Sequence, residues 1–181
     1  KGDLFLIGKF IGDYQLGIYS KGYQLTVKML KTINGIILGV LYPSISKIKD
    51  KKQILRKSFL EVSQVVFTIY SFVVLLGFLF SEKAVNVILG EKWSDLAPMI
   101  PIFLLLALFF ALGSTGGHYL QVLGHTKLLF KIVIFTSVLT IISFIVGLNW
   151  GILGVALGYL FSTAILFFIT SYNSLKILRI N

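Results

Sequence analysis

Residues 132–175 read IVIFTSVLTIISFIVGLNWGILGVALGYLFSTAILFFITSYNSL, a run of 44 residues without a charge. A helix needs about 20 residues to cross ~30 Å of hydrocarbon, so this run is long enough to cross twice. The two crossings require a turn, and Gly147, Asn149, Trp150 and Gly151 supply one near the middle of the run. The run therefore predicts a helical hairpin across a membrane.

Two shorter uncharged runs lie upstream of this hairpin. Residues 62–81 are 20 uncharged residues, and residues 96–126 are 31. Each run is long enough for one crossing and too short for two. Together with the hairpin they predict four spans, at residues 62–81, 98–122, 129–148 and 152–173.

The composition of the whole chain agrees with a lipid environment. Of the 181 residues, 56% are hydrophobic and 13% are charged, and the mean hydropathy is +0.91. Soluble domains carry about 25% charged residues, so this chain has too little polar surface for water. The net charge of +10 then indicates basic cytoplasmic loops and anionic lipids, and we expect no nucleic-acid partner.

The residue types that carry most enzyme chemistry are absent or badly spaced. The chain has no Cys, and its two His residues lie seven positions apart, which is not a metal-ligand spacing. No phosphate-binding glycine loop, nucleophile elbow or carboxylate pair occurs. We therefore expect no catalytic residue, no metal and no cofactor, and we predict that the protein is not an enzyme.

The N-terminal region is harder to divide into spans. The chain begins at Lys1 and enters apolar sequence at once, so we expect a fragment whose first span, residues 1–9, is truncated. Residues 16–46 are apolar but interrupted by lysines, and the uncharged core of 15 residues at 32–46 is too short to cross alone. Two readings follow: a short re-entrant element, or a full span that carries lysines.

The distribution of basic residues decides between these two readings. Residues 47–61 hold six basic and two acidic residues, whereas residues 82–97 hold two basic and three acidic ones. Basic loops face the cytoplasm, which places loop 47–61 and the C-terminus inside and residues 82–97 outside. Basic-rich and basic-poor connections alternate between the two sides of the membrane only if residues 16–46 cross it. We therefore predict an all-α fold, a polytopic membrane helix bundle with six transmembrane helices, the first truncated.

The candidate site is a polar stripe on the second span. Lys21, Gln24, Lys28 and Lys31 follow helical spacing, and Lys28 falls near the bilayer middle. A lysine at that depth costs roughly 2.5–3.5 kcal/mol, so a cationic cavity that attracts a diphosphate is one reading. In the other reading Lys21 and Lys31 extend to the headgroups and only Lys28 is unusual. Asp3 either pairs with one of these lysines or lies at the interface.

Four short motifs resemble one known family. They are, in chain order, DLFLIGKFIG at residues 3–12 followed by LGIY at 16–19, LYPSIS at 41–46, ILGEKW at 88–93 and WGILGVA at 150–156. This order is similar to that of the polysaccharide flippases, the O-antigen and colanic-acid type exporters of the multidrug/oligosaccharidyl-lipid/polysaccharide superfamily. The motifs cover nearly the whole chain.

The resemblance implies one lobe of a two-lobe transporter, with residues 1–181 as a single transmembrane lobe of the cell (inner) membrane. Such proteins flip undecaprenyl-diphosphate-linked oligosaccharide across the membrane by alternating access. The implied partners are this lipid-linked oligosaccharide, membrane lipids and an N-terminal lobe of the same chain. Two alternatives are a multidrug cation antiporter of the same superfamily and a membrane polysaccharide polymerase or ligase.

Overall fold

The chain is helical apart from short connections. The computed structural model describes the backbone of residues 2–179 and the side chains within it, except those of residues 2, 3, 5 and 179. The helices, in chain order, are α1 (Gly2–Phe10), α2 (Asp13–Tyr23), a π-helical turn (Gln24–Lys28), α3 (Met29–Lys47), α4 (Lys52–Leu89), a 3₁₀ segment (Glu91–Met99), α5 (Ile100–Val122), α6 (Thr126–Gly147), a 3₁₀ turn (Leu148–Trp150) and α7 (Gly151–Arg179).

Four helical stretches are long and apolar enough to cross a membrane, by length and composition. They are Asp13–Lys47, Lys52–Leu89, Glu91–Val122 and Thr126–Leu178. The last stretch reverses at the 3₁₀ turn Leu148–Trp150, which Gly151 ends with a φ of 66°. This is where the sequence predicts the turn of the hairpin. The chain is therefore an all-helical, multi-pass membrane protein.

The second predicted span is one unbroken helical segment. It runs from Asp13 to Lys47 over 35 residues, with the π-helical turn inside it. At ~1.5 Å per residue the segment is about 52 Å long, which exceeds the hydrocarbon thickness. The chain does not reverse within it, so the re-entrant reading is wrong for this segment.

Helix α4, which corresponds to the span predicted at 62–81, is longer than the sequence predicts. The uncharged run covers residues 62–81, but α4 extends from Lys52 to Leu89. Charged residues end the apolar run without ending the helix, because Lys, Arg and Glu are good helix formers. The connection predicted at residues 82–97 is therefore shorter in the structure, because α4 continues to Leu89. Gly90, with a φ of 89°, joins α4 directly to the 3₁₀ segment.

Helix α5 lies at the centre of the bundle. Most of its side chains are buried, and it packs against α3, α4 and α7. Asn34 Nδ2 of α3 donates to Ser114 Oγ of α5 at 2.8 Å, and Ser174 Oγ of α7 donates to the Gly116 carbonyl oxygen at 2.9 Å. Each of these hydrogen bonds satisfies a polar group that hydrocarbon would leave without a partner.

The connections gather at two opposite ends of the bundle. At one end, which we call the 3₁₀ end, residues of α1, α2, the 3₁₀ segment, α5 and α7 form one apolar cluster that includes Ile7, Ile18, Leu96, Phe103 and Val155. At the other end, which we call the basic end, a second cluster joins α3, α4, α5 and α7 through Ile45, Leu55, Phe59, Tyr119 and Leu178. The connections after α3 and α5 lie at the basic end.

The outer surface of the bundle is apolar. Large hydrophobic side chains such as Phe72, Leu79, Phe135 and Phe168 are exposed on α4, α6 and α7. An apolar surface of this extent is unstable in water and is typical of a lipid-facing surface. The hydroxyl of Thr136 donates to its own helix, to the Ile132 carbonyl oxygen at 2.9 Å, so it leaves no unsatisfied donor in the apolar environment.

Glycines allow α6 and α7 to pack with their backbones in contact. A Cβ added at Gly154 would collide with the carbonyl oxygen of Gly147, and one added at Gly158 would lie 2.6 Å from the carbonyl oxygen of Ser143. Small residues allow such close approach between membrane helices, which maximises van der Waals contact.

We predict that Gly154→Leu destabilises the hairpin. The added side chain has no space against Gly147, and overpacking of this kind costs about 1–3 kcal/mol. The purified full-length protein should therefore melt at a lower temperature than wild type. Gly39→Leu is the matched control, since nothing lies within 4 Å of a Cβ at that position. Equal melting temperatures for the two variants would contradict the close packing of α6 on α7.

Candidate functional site

A π-helical turn divides the polar stripe predicted from the sequence. Residues Gln24–Lys28 form this wide turn between α2 and α3. A π-helical turn holds about one residue more than an α-helical turn, so the residues after it are rotated by about 100°. The side chains of Lys21, Gln24, Lys28 and Lys31 therefore do not share one surface. Gln24 and Lys28 are exposed, whereas Lys21 and Lys31 are partly buried.

Lys31 points into the bundle, between α2, α5 and α7. Its Nζ lies 3.3 Å from the hydroxyl oxygens of both Tyr23 and Tyr159. The same Nζ lies 3.9 Å from the centre of the Phe110 ring, while the rings of Tyr23 and Tyr159 stack with their centres 6.2 Å apart. Phenol oxygens and aromatic faces both stabilise a cation, and they do so more strongly where water is excluded. The ammonium of Lys31 therefore joins three helices.

A cavity with a mixed, mostly apolar lining adjoins this cluster. It has a volume of about 400 Å³ and lies between α5, α6 and α7. Phe110 and Tyr159 form part of its wall, and α6 and α7 add both apolar side chains and five that bear hydroxyls: Thr136, Ser137, Thr140, Ser162 and Thr163. Several of these hydroxyls already donate to carbonyl oxygens of their own helices, so their oxygen lone pairs are what they offer to the cavity.

Lys28 stands on the exposed side of the same segment. It lies 15 residues after Asp13, about 22 Å along a segment of about 52 Å, and thus near its middle. Within the part of the chain whose side chains are described, its ammonium has no hydrogen-bond, ion-pair or ring partner. Gln24, one turn earlier, and Thr32, one turn later, are exposed as well. Lys28 is therefore the unpaired cation at the middle of an apolar span.

The remaining predicted site residues lie apart from Lys28. The Nζ of Lys21 is 5.8 Å from the centre of the Trp93 ring, close to the 3₁₀ end. Asp3 belongs to α1, but its side chain lies outside the described residues. The structure thus brings Gln24 and Lys28 to one exposed surface and separates both Lys21 and Lys31 from it.

The position of α3 is fixed by hydrogen bonds that the sequence pattern does not reveal. Tyr70 of α4 donates its hydroxyl to the Leu30 carbonyl oxygen at 3.0 Å, and Asn34 of α3 is 2% exposed and bonded to Ser114. Tyr159, Phe110 and Tyr70 are the residues that sequence reasoning missed. In the sequence, the only sign of these three residues is a polar or aromatic side chain inside an apolar run. Tyr159 lies 128 positions from Lys31, so no sequence spacing links the two.

Metal binding has no support in the described part of the chain. Across residues 4–178 no group of three or more His, Cys, Asp or Glu side chains comes together. The exposed surface of the second span offers the ammonium of Lys28 and the amide of Gln24, whereas the phenols surround Lys31 and the hydroxyls line the cavity beside it. These groups suit the recognition of an anion or a polyol, because they donate hydrogen bonds and carry positive charge.

Comparison with known proteins identifies the same family as the motifs. A family model described as "Polysaccharide biosynthesis protein" matches residues 1–98. The chain is 32% identical over 130 residues to the teichuronic acid biosynthesis protein TuaB of Bacillus subtilis (strain 168), which covers 71% of this chain and 26% of that protein. It is 30% identical over 157 residues to the lipopolysaccharide biosynthesis protein WzxC of Escherichia coli (strain K12), which covers 86% of this chain and 32% of that protein.

A more distant relative shows the same pattern of coverage. The amylovoran biosynthesis protein AmsL of Erwinia amylovora is 23% identical over 142 residues, which are 78% of this chain and 37% of that protein. The chain spans about a quarter to a third of the length of these two curated relatives, TuaB and WzxC. No solved structure matches it significantly. The resemblance drawn from the motifs is confirmed, and the chain belongs to the polysaccharide biosynthesis protein family.

Proposed function

We propose that the protein flips undecaprenyl-diphosphate-linked oligosaccharide across the cell membrane, as a transporter and not as an enzyme. In this proposal residues 1–181 form one lobe of two, and the second lobe lies elsewhere in the same full-length chain. The lobe has six spans: α1, Asp13–Lys47, α4, Glu91–Val122, α6 and α7. The lipid tail stays in the bilayer while the headgroup crosses between the lobes.

The observation that carries the proposal is the exposed ammonium of Lys28. A lysine that faces lipid at mid-depth costs roughly 2.5–3.5 kcal/mol, whereas one that faces a water-filled cavity between two lobes avoids that cost. A cation on such a wall attracts the diphosphate and offers it a charge-assisted hydrogen bond. Gln24, on the same surface, adds an amide donor. The names of the relatives, which refer to teichuronic acid and lipopolysaccharide biosynthesis, support a saccharide-bearing substrate.

The charge distribution supports one orientation. The basic end of the bundle carries residues 47–61, the start of α6 and the end of α7, and these regions hold ten of the 17 lysines and arginines. Basic regions face the cytoplasm, so we place loop 47–61 and the C-terminus there and the 3₁₀ end outside. The positive charge of Lys28 argues against the multidrug antiporter, because a cationic substrate would need acidic groups at that position.

We assign different roles to the two lysines. Lys28 faces the substrate, whereas Lys31 holds α3 against α5 and α7 through Tyr23, Tyr159 and Phe110. A substrate contact and a packing contact respond differently to substitution. The first affects transport at constant stability, and the second affects stability.

We predict that Lys28→Ala lowers export of surface polysaccharide without lowering the amount of protein in the membrane. The loss of one charged hydrogen bond to the diphosphate, worth about 1.5–3 kcal/mol, should slow transport about tenfold or more. Complementation of a strain that lacks the full-length gene, with quantified surface polymer, measures the effect. Lys28→Arg should retain most export, and Lys127→Ala, which removes an exposed lysine at the basic end, is the control. Undiminished export by Lys28→Ala would remove Lys28 from the mechanism.

We predict that Lys31→Met lowers the stability of the protein, whereas Lys28→Met does not. This change keeps the length of the side chain but removes the ammonium that bonds the hydroxyls of Tyr23 and Tyr159, at a cost of about 1–3 kcal/mol. The melting temperature of the purified full-length protein should fall for Lys31→Met and stay unchanged for Lys28→Met. A larger fall for Lys28→Met would contradict the assignment of the two roles.

A further inference from the structure

A small cavity opens at the 3₁₀ end of the bundle. It lies between the first turns of α2 and the start of the 3₁₀ segment, and its volume is about 280 Å³. Six residues line it: Asp13, Tyr14, Gly17, Ile18, Lys92 and Trp93. None of them belongs to the surface of Gln24 and Lys28. Gly17 is 11 residues before Lys28, so the cavity lies about 16 Å from that lysine along the same helix.

Contacts between the two elements hold the walls of the cavity in place. The hydroxyl of Tyr14 donates to Asp95 Oδ2 at 3.1 Å and so joins α2 to the 3₁₀ segment. The side chain of Trp93 is half-buried and packs against the apolar cluster of the 3₁₀ end, and this packing holds the indole in place. Gly17 has no side chain to occupy the space, and nothing lies within 4 Å of a Cβ added there.

The lining combines the groups that recognise a sugar ring. The indole of Trp93 and the phenol of Tyr14 are flat, rigid, amphipathic surfaces on which the C–H groups of a pyranose can lie. The carboxylate of Asp13 accepts hydrogen bonds from hydroxyls, and the ammonium of Lys92 donates them. Small-molecule sites have this make-up, with apolar walls and a few convergent polar groups.

Charge and size limit the class of ligand. Among the residues that line the cavity, Asp13 and Lys92 are charged and balance each other, so the lining has no excess positive charge for a phosphate headgroup. Its volume of about 280 Å³ is at the lower limit of the ~300–1,000 Å³ that small-ligand sites occupy. A neutral polyol the size of one sugar ring fits both limits better than a lipid phosphate or a longer oligosaccharide.

We propose that this cavity binds one pyranose unit of the transported oligosaccharide by stacking on Trp93, with Asp13 and Lys92 bonded to its hydroxyls. The proposal rests on the proposed function, which brings a saccharide to this side of the membrane. A sugar held here is retained at the outer mouth of the transport path while the diphosphate leaves Lys28. The site therefore opposes return of the headgroup toward the cytoplasm.

The test observes Trp93 directly. Full-length protein labelled with 5-fluorotryptophan is purified into lipid nanodiscs, and its ¹⁹F spectrum is assigned with Trp93→Phe and Trp150→Phe. The probes are the methyl glycosides of glucose, galactose and N-acetylglucosamine. We expect at least one probe to shift the Trp93 resonance saturably and to leave that of Trp150 unmoved. Trp150 is the matched control, because it is exposed and lines an apolar groove between α6 and α7.

A second variant tests the polar half of the site without removing the ring. Asp13→Asn keeps the shape of the side chain but loses its charge, and sugar binding should weaken about tenfold. A Trp93 resonance that none of the three glycosides moves, or that moves no differently from that of Trp150, overturns the proposal. Equal affinity in Asp13→Asn overturns the assigned role of Asp13.

The outcome is separable from that of the proposed function. Sugar binding is measured at equilibrium, without a lipid-linked substrate and without transport. Lys28→Ala should bind the glycosides as wild type does, since Lys28 lies outside the cavity. Normal export by Lys28→Ala together with a responsive Trp93 would refute the role of Lys28 and retain the sugar site. Impaired export by Lys28→Ala together with an unresponsive Trp93 would retain the role of Lys28 and refute the sugar site.

Discussion

Hydrocarbon offers no water to a charged group, and this constraint shapes the helix bundle around the second span. Lys31 meets it by turning inward, where its ammonium finds two phenol oxygens and the face of Phe110. Those partners belong to α2, α5 and α7, so this cation, together with the hydrogen bonds of Asn34 and Tyr70, fixes the position of α3. The π-helical turn at Gln24–Lys28 makes this possible, because it rotates Lys31 inward while Lys28 stays outside.

The rest of the bundle is arranged around α5. Buried on nearly all sides, this helix receives α3 through Asn34, and α7 through Ser174. The α6–α7 hairpin adds a purely steric contact, with glycine facing glycine, while the outer surfaces of α4, α6 and α7 stay apolar. A bundle built in this way presents apolar surfaces on several sides, and on the second span the exposed Gln24, Lys28 and Thr32 interrupt a surface that is otherwise apolar. In the proposed transporter the path runs along these three polar side chains, because their exposure to lipid would be costly.

Much of this architecture is readable from the sequence, because uncharged runs and glycine-rich turns report directly on helices in hydrocarbon. Helices α5 and α6 begin and end within three residues of the predicted limits, whereas α7 continues to Arg179, six residues beyond its predicted end at 173. The motifs identify the family. The extension of α4 beyond residues 62–81 was not predictable from charge, since charged residues end an apolar run without ending a helix. The division of the lysine stripe was not predictable either. A period of 3.6 residues assumes an unbroken α-helix, and no pattern links Lys31 to Tyr159, 128 positions away.

In the proposed transporter, Lys28 faces a water-filled path and not lipid. The chain contains no Cys, so a cysteine placed at position 28 of a full-length protein without other cysteines reports on that position alone. We predict that a membrane-impermeant thiol reagent modifies Lys28→Cys from at least one side of the membrane, and that it does not modify Phe72→Cys. Phe72 lies near the middle of α4 and is 61% exposed on the apolar outer surface. Modification of Phe72→Cys at the same rate, or no modification of Lys28→Cys from either side, would contradict the account.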